Sequence, residues 1–230
     1  MNSPSSSDDN HGSKLVIFGA GDIARLAHYY FTNDSPHAVS GFVVDRAFRK
    51  GDAFLGLPIT DAEDATTRYP PSEYAMFVAV SYAKMNGVRA DKYAAMKAAG
   101  YRLVSYVSSR CSYLSLTPPG DNCFILEDNT IQPFVHVGSN VTLWSGNHIG
   151  HDSVIDDHVF ISSHVVVSGH VRVGAYSFLG VNATLRNGIT IAPRTLVGAG
   201  AVIMADTVEG SVHVARPAQK LDKTSDAVDL

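Results

Sequence analysis

From residue 125 onward every sixth residue is aliphatic, and the series runs without a gap or a change of phase: Ile125, Ile131, Val137, Leu143, Ile149, Ile155, Ile161, Val167, Val173, Leu179, Leu185, Ile191, Val197 and Ile203. An amphipathic helix repeats near 3.6 residues and a half-buried strand near 2. A period of six fits neither, and fits a parallel β-helix of hexapeptide repeats. A β-sandwich of short strands has no reason to hold one phase over so many turns, so the repeat argues against it.

The neighbouring positions agree with a coil. The residue after each aliphatic is often small, as at Gly138, Gly150, Ser162, Ser168, Gly174, Gly180, Ala192 and Gly198. Such residues would let the chain turn a corner without a Cβ clash. Two residues before the aliphatic stand further small or β-branched side chains, such as Val141, Ser153, Val159, Val165, Val171, Ala183 and Ala201. The expected object is a three-sided prism with one short strand per side. Three hexapeptides close a coil, so residues eighteen apart stack at about 4.8 Å along the axis.

Composition narrows the class further. Of the 230 residues 45% are hydrophobic and 17% charged, which suits packed cores rather than disorder. A net charge of −4 gives no electrostatic reason to expect nucleic acid. No apolar run approaches the length of about 18 residues that a membrane span needs. Residues 1–13 are rich in Ser, Asp and Asn, without the basic and apolar stretches of a secretory signal, and read as a solvated tail. With only Cys111 and Cys123 there is no disulfide framework to expect, and the cytoplasm is the default compartment.

Residues 14–108 read as a short doubly wound, Rossmann-like α/β domain. Lys14 to Phe18 is a buried strand. Gly19-Ala-Gly21-Asp22-Ile-Ala24 follows in the pattern G-x-G-x-x-A and opens a helix reaching about Phe31. Those glycines let backbone N–H groups approach a phosphate at a helix N-terminus. They equally suit close packing of helix on strand, with no ligand at all. A second strand, about Val39 to Val44, ends in Asp45, placed to accept from a ribose hydroxyl or a base N–H. Tyr74 to Val80 reads as a third strand, Arg89 to Ala99 as a helix stopped by Gly100, and Leu103 to Val107 as the last strand. The expected nucleotide contacts are Gly19, Gly21, Asp22, Asp45, Arg46 and Ser81. Residues 109–220 then form the β-helix and 221–230 a C-terminal tail.

Both halves together, residues 14–220, resemble the bacterial sugar acetyltransferases of the PglD/NeuD type. Leu15-Val-Ile-Phe-Gly-Ala-Gly21, the hexapeptide ladder, Ile149-Gly-His-Asp-Ser-Val-Ile155 and the closing Arg216-Pro-Ala-Gln-Lys220 carry the likeness. The resemblance implies a left-handed β-helix, a homotrimer, and acetyl-CoA in the groove between neighbouring β-helices. It also implies a nucleotide-linked amino sugar held by the N-terminal domain, and N-acetylation of its amino group. O-acetylation of a sialic acid-type sugar is the alternative the family offers. The family's catalytic base, a His followed by an acid, matches His151 and Asp152. Acetyl-CoA contacts are expected at Phe160, Gly169, His170, Gly180, Asn187 and Pro217. One position departs: nine residues after the base the family carries a second His, and here stands Phe160.

Spacing singles out the same histidine. His158, His164 and His170 each lie three residues after a ladder position, so they occupy three different sides and cannot converge within one chain. His151 stacks with Pro133, Gly169 and Asn187, and Asp152 with Phe134, His170 and Gly188. Gly169 leaves room beside the imidazole, so a cleft is expected there. His151 would act as general base in direct transfer from acetyl-CoA, Asp152 would orient it, and a backbone N–H near Gly169 or Gly174 of the neighbouring chain would hold the oxyanion. Neither cysteine is expected to be a nucleophile. No metal is expected: no two histidines show the H-x₄-H spacing of zinc-binding hexapeptide proteins, although His148 and His151 stand three apart. Three other functions remain at this point. A nicotinamide oxidoreductase lacks a catalytic domain for hydride transfer, and a nucleotidyltransferase needs a larger N-terminal domain. A non-catalytic trimeric nucleotide-sugar-binding protein would leave His151 incidental.

Overall fold

The computed structural model describes residues 12–220, 222 and 224–227. The N-terminal half opens with strand β1 (Lys14–Phe18), helix α1 (Asp22–Asn33) and strand β2 (Ala38–Val44). A small hairpin of β3 (Ala53–Phe54) and β4 (Leu57–Asp61), the single turn α2 (Ala65–Arg68), β5 (Tyr74–Val78) and α3 (Gly87–Ala98) complete it. The sheet order is β3-β4-β2-β1-β5, parallel except where β3 meets β4. After β1 the chain builds outward on one side and then crosses to place β5 on the other. The order therefore reverses between β1 and β5, the place where open α/β sheets hold ligands outside their C-terminal strand ends. The hairpin and α2 were not anticipated; both are too short to show a period.

The ladder forms a parallel β-helix, and its strands are two residues each. The first face carries Phe124–Ile125, Thr142–Leu143, Phe160–Ile161, Phe178–Leu179 and Leu196–Val197. The second carries Thr130–Ile131, His148–Ile149, Val166–Val167, Thr184–Leu185 and Val202–Ile203. The third carries His136–Val137, Val154–Ile155, Arg172–Val173 and Thr190–Ile191. Partners are eighteen residues apart, as Thr142 with Phe160 and His148 with Val166. Every ladder aliphatic is buried, and so are the residues two before it, from Val135 and Val141 to Ser177 and Ala201. Two inward side chains per strand thus fill the prism, each apolar one contributing about 1.5–3 kcal/mol on burial.

Two expectations need correction. The corners are not made by the small residues that follow the aliphatics. They fall at the position three residues on, where every sixth residue from Asn122 to Gly200 has a positive φ, Asn140, Asp152, His158, His164, His170 and Asn182 among them. Asn, Asp, His and Gly tolerate that region best, which accounts for three of the ten histidines. The small residues serve close coil contact instead: a Cβ on Gly150 would lie 2.5 Å from the amide nitrogen of Gly169, and one on Gly138 2.9 Å from that of Asp157.

The second correction concerns the junction. The segment Leu103 to Val107 is not one strand of the α/β sheet. Leu103 bridges to Met76, while Tyr106–Val107 pairs with Phe124–Ile125 and Ser112–Tyr113 with Thr130–Ile131. The first coil therefore opens at Tyr106, ahead of the expected start at 109. The six-residue phase does continue back through Val107 and Tyr113, but an aromatic and then Pro119 disguise it. The halves also share a core. Phe124 and Leu126 of the coils pack in one cluster with Leu15, Ile17, Phe31 and Phe77 of the α/β half.

Candidate functional site

The corner between the second and third faces carries the densest chemistry. His151 and Asp152 follow the strand His148–Ile149, and Asp152 occupies the left-handed position with φ 57°. That conformation turns its carboxylate back onto its neighbour: His151 Nδ1 lies 2.8 Å from Asp152 Oδ2. A carboxylate can only accept, so Nδ1 carries the proton and Nε2 keeps a free lone pair. Nε2 faces Gly169 in the next coil, where a Cβ would come within 2.7 Å of it. The His151 backbone N–H donates to Gln132 Oε1 at 2.9 Å, and the His170 backbone N–H to His151 O at 2.9 Å.

His170 completes the group. Its ring stands edge-on to that of His151, centroids 4.9 Å apart and planes at 89°, with Nε2 4.0 Å from Asp152 Oδ2. Asn187 braces the upper side: its amide donates to Gly169 O at 2.9 Å and accepts from Gly188 N at 3.2 Å. The edge is open to solvent, with the side chains of His151 and Asp152 49% and 43% exposed. Such a pair can take a proton at a protein surface where a ligand can reach it. Among the described residues His151, Asp152 and His170 also form a set of potential metal donors, all within 4.8 Å of one another. His148, the partner considered from spacing, does not join it.

Other expected residues lie elsewhere. Phe160 sits on the first face, 3% exposed, stacked on Phe178 at 5.4 Å and covered by Tyr82 at 5.0 Å. It is closed to any ligand on this chain, and the acetyl-CoA contact expected of it is withdrawn. His158 is a corner residue, bonded to Asn140 Nδ2 at 2.9 Å and packed on Tyr176 and Tyr93. Gly180 follows the first-face strand Phe178–Leu179, and Pro217 lies beyond the last strand, Val212–His213. Neither joins the His151 edge. The Gly174 N–H already donates to Ile191 O at 2.7 Å, so of the two proposed oxyanion donors only Gly169 remains.

The second cluster lies along the C-terminal edge of the α/β sheet. Gly19, with φ 128°, donates to Val43 O at 2.7 Å, and a Cβ there would strike Ala79 O at 2.6 Å. Its need for glycine is thus met by packing alone. Gly21 differs: it caps α1 with open space around it and no side-chain cap. Asp22 is exposed and meets Arg25 at 3.2 Å. Asp45 Oδ1 holds Lys92 of α3 at 2.6 Å, which leaves its second oxygen for a ligand. Arg46 is tied to Asp61 at 2.9 Å. Ser81 follows β5 on the loop into Tyr82. Lys92 was missed in the sequence, and only a lysine on the helix beside the second strand end could have signalled it.

The α/β half rests on the first face and on both corners beside it. Tyr30 Oη donates to Glu127 at 2.8 Å at one corner. At the other, the buried Arg89 donates to the carbonyls of Asn140 and His158. The corner of His151 is the remaining one, on the far side of the prism.

Fold and repeat together define a hexapeptide-repeat β-helix protein with an N-terminal α/β domain. Residues 134–169 match the family described as bacterial transferase hexapeptide (six repeats). No curated protein sequence matches the chain. Among solved structures, the acetyltransferase domain of PglB from Neisseria gonorrhoeae FA1090 is 24% identical, with 91% of this chain and 100% of that one covered and a TM-score of 0.74. Perosamine N-acetyltransferase from Caulobacter crescentus, a histidine-to-asparagine mutant in complex with CoA and GDP-perosamine, is 23% identical over 91% and 98%, with a TM-score of 0.76. WeeI from Acinetobacter baumannii AYE is 18% identical over 91% and 100%, at 0.75. All three share the two-part fold. No helix among the described residues is long and apolar enough to cross a membrane.

Proposed function

We propose that this chain is an acetyl-CoA-dependent N-acetyltransferase acting on the amino group of a nucleotide-linked amino-deoxy sugar. The observation that carries the reading is the His151–Asp152 pair at 2.8 Å on an open corner, with Nε2 directed at the space Gly169 leaves. A protein of this fold with CoA and GDP-perosamine bound supports the choice of substrates. The amine lone pair attacks the acetyl carbonyl carbon, and His151 Nε2 takes the amine proton as general base. Asp152 holds the ring in the right tautomer and stabilises the imidazolium. The tetrahedral intermediate, met by a backbone N–H near Gly169, collapses with loss of CoA thiolate, which recovers the proton from His151. The products are the N-acetyl sugar and CoA thiol.

The nucleotide half covers the opposite side of the prism from His151 of its own chain. In our reading the acceptor held by one subunit is therefore acetylated at the His151 corner of another, in a homotrimer. The nucleotide lies at the switch between β1 and β5, its phosphates at the N-terminus of α1 and its ribose or base near Asp45. Two free cysteines suit a reducing cytoplasm.

The test is turnover of UDP-, dTDP- and GDP-linked amino sugars with acetyl-CoA, followed by thiol release. One of them should be acetylated, and His151→Ala should lower kcat/KM by about 10²–10⁴. A loss under threefold would remove His151 from the mechanism.

A further inference from the structure

Three donor side chains from two successive coils meet at the corner of His151. His151 Nδ1 lies 2.8 Å from Asp152 Oδ2, and His170 Nε2 lies 4.0 Å from the same oxygen. One donor atom of each residue stands within 4.8 Å of the other two. The coil imposes this grouping. Asp152 and His170 are eighteen residues apart and hold successive places in one corner column, both left-handed, with φ 57° and 54°. The His170 backbone N–H donates to His151 O at 2.9 Å and locks the register. His158 and His164 share that backbone conformation but keep other company. His158 bonds to Asn140 and packs against Tyr93 and Tyr176, and the His164 ring lies over Gly146.

Two imidazoles and a carboxylate suit zinc and its neighbours in the first transition row, whereas magnesium and calcium take oxygen donors. Zinc bonds of 2.0–2.1 Å in a tetrahedron set the donors about 3.3 Å apart. The separations of 2.8 and 4.0 Å straddle that value. All three side chains are about half exposed and can turn to close on a cation. Water would take the fourth position.

We infer that His151, Asp152 and His170 form a binding site for a divalent cation of the zinc class, and that filling it shuts the enzyme off. The second part rests on the reading of His151 as general base. A neutral imidazole has one N–H and one lone pair. A cation on Nδ1 forces the ring proton to Nε2, so the lone pair that would take the amine proton is gone. A cation on Nε2 takes that lone pair itself. In both cases the Asp152 carboxylate leaves the ring N–H for the metal, and the base is lost until the metal departs.

Calorimetric titration of the full chain with zinc chloride, after chelator treatment, tests the site. The wild type should bind a single zinc per chain and no magnesium under the same conditions. His170→Asn should weaken zinc binding about tenfold or more, and Asn tolerates the left-handed corner. His151→Ala, outside the left-handed position, should weaken it likewise. His164→Asn makes the same change at another corner and should leave zinc binding as it was. Turnover should fall as the site fills and return with EDTA. It is followed as acetylated sugar, because the released CoA thiol itself binds zinc. Zinc binding that survives both His170→Asn and His151→Ala would overturn the site. Full turnover with zinc bound would overturn the shut-off. Zinc binding without turnover in metal-free buffer would sink the transferase reading alone, and turnover without zinc binding would sink this inference alone.

Discussion

At the residue scale, one missing side chain decides what His151 can do. A Cβ on Gly169 would lie 2.7 Å from His151 Nε2, the atom that the proposed mechanism needs open to substrate. Gly169→Ala should therefore fold normally, since the nearest atoms its Cβ would meet belong to the half-exposed His151 ring, which can give way, and yet lose activity about tenfold or more as the imidazole is pushed out of line. Steady-state kinetics beside circular dichroism would check it. An alanine variant with wild-type kcat would show that Nε2 needs no such opening. The two residues of the pair were both legible in the sequence, because column arithmetic at eighteen residues puts Gly169 over His151. Gln132, which accepts the His151 backbone N–H, lies one residue out of that column and was not found.

At the element scale, the seam between α3 and the coils carries a titratable group. His158 is half-buried between Tyr93 and Tyr176, and burial holds its pKa below the ordinary value near 6.5, with Arg89 adding to the effect. The unfolded chain then binds the proton more readily than the folded one. Stability must fall as pH drops from about 6.5 toward the lower folded pKa, and it is fully present above 6.5. His158→Gln should flatten that part of the profile, measured by denaturant midpoints between pH 7 and 5. An unchanged slope would place the acid-sensitive group elsewhere. The loop before α3 adds strain at the same seam. Lys84, Met85 and Asn86 take left-handed φ values in succession, held by Asn86 Nδ2 donating to the carbonyls of Tyr176 and Ser177.

At the scale of the whole molecule, a buried cation bolts the halves together. Arg89 is 2% exposed and has no carboxylate partner among the described residues. Burial pushes its pKa down to about 10, which leaves it charged at neutral pH. Its donors reach the carbonyls of Asn140 and His158 and the Asn86 side chain at 3.0 Å. Arg89→Met would strand three buried acceptors, so stability should fall by about 2 kcal/mol or more. The thermal transition should also broaden or split as the α/β half loosens from the coils. A single sharp transition at the wild-type temperature would show that the shared cluster around Phe124 suffices.

The β-helix was written in the sequence because its rule is local: one aliphatic in six, repeated, can be buried on every turn only by coiling. The same arithmetic picked out His151, Asp152 and Gly169, since stacking in a coil is fixed by counting. Phe160 was misjudged because counting says which face a residue lies on but not what covers it, and Tyr82 comes from a loop nearly eighty residues earlier. The true start at Tyr106, the bolt at Arg89 and the hold of Lys92 on Asp45 likewise depend on contacts between distant segments. No periodicity encodes such contacts; they exist only once the sheet and the prism have packed against each other.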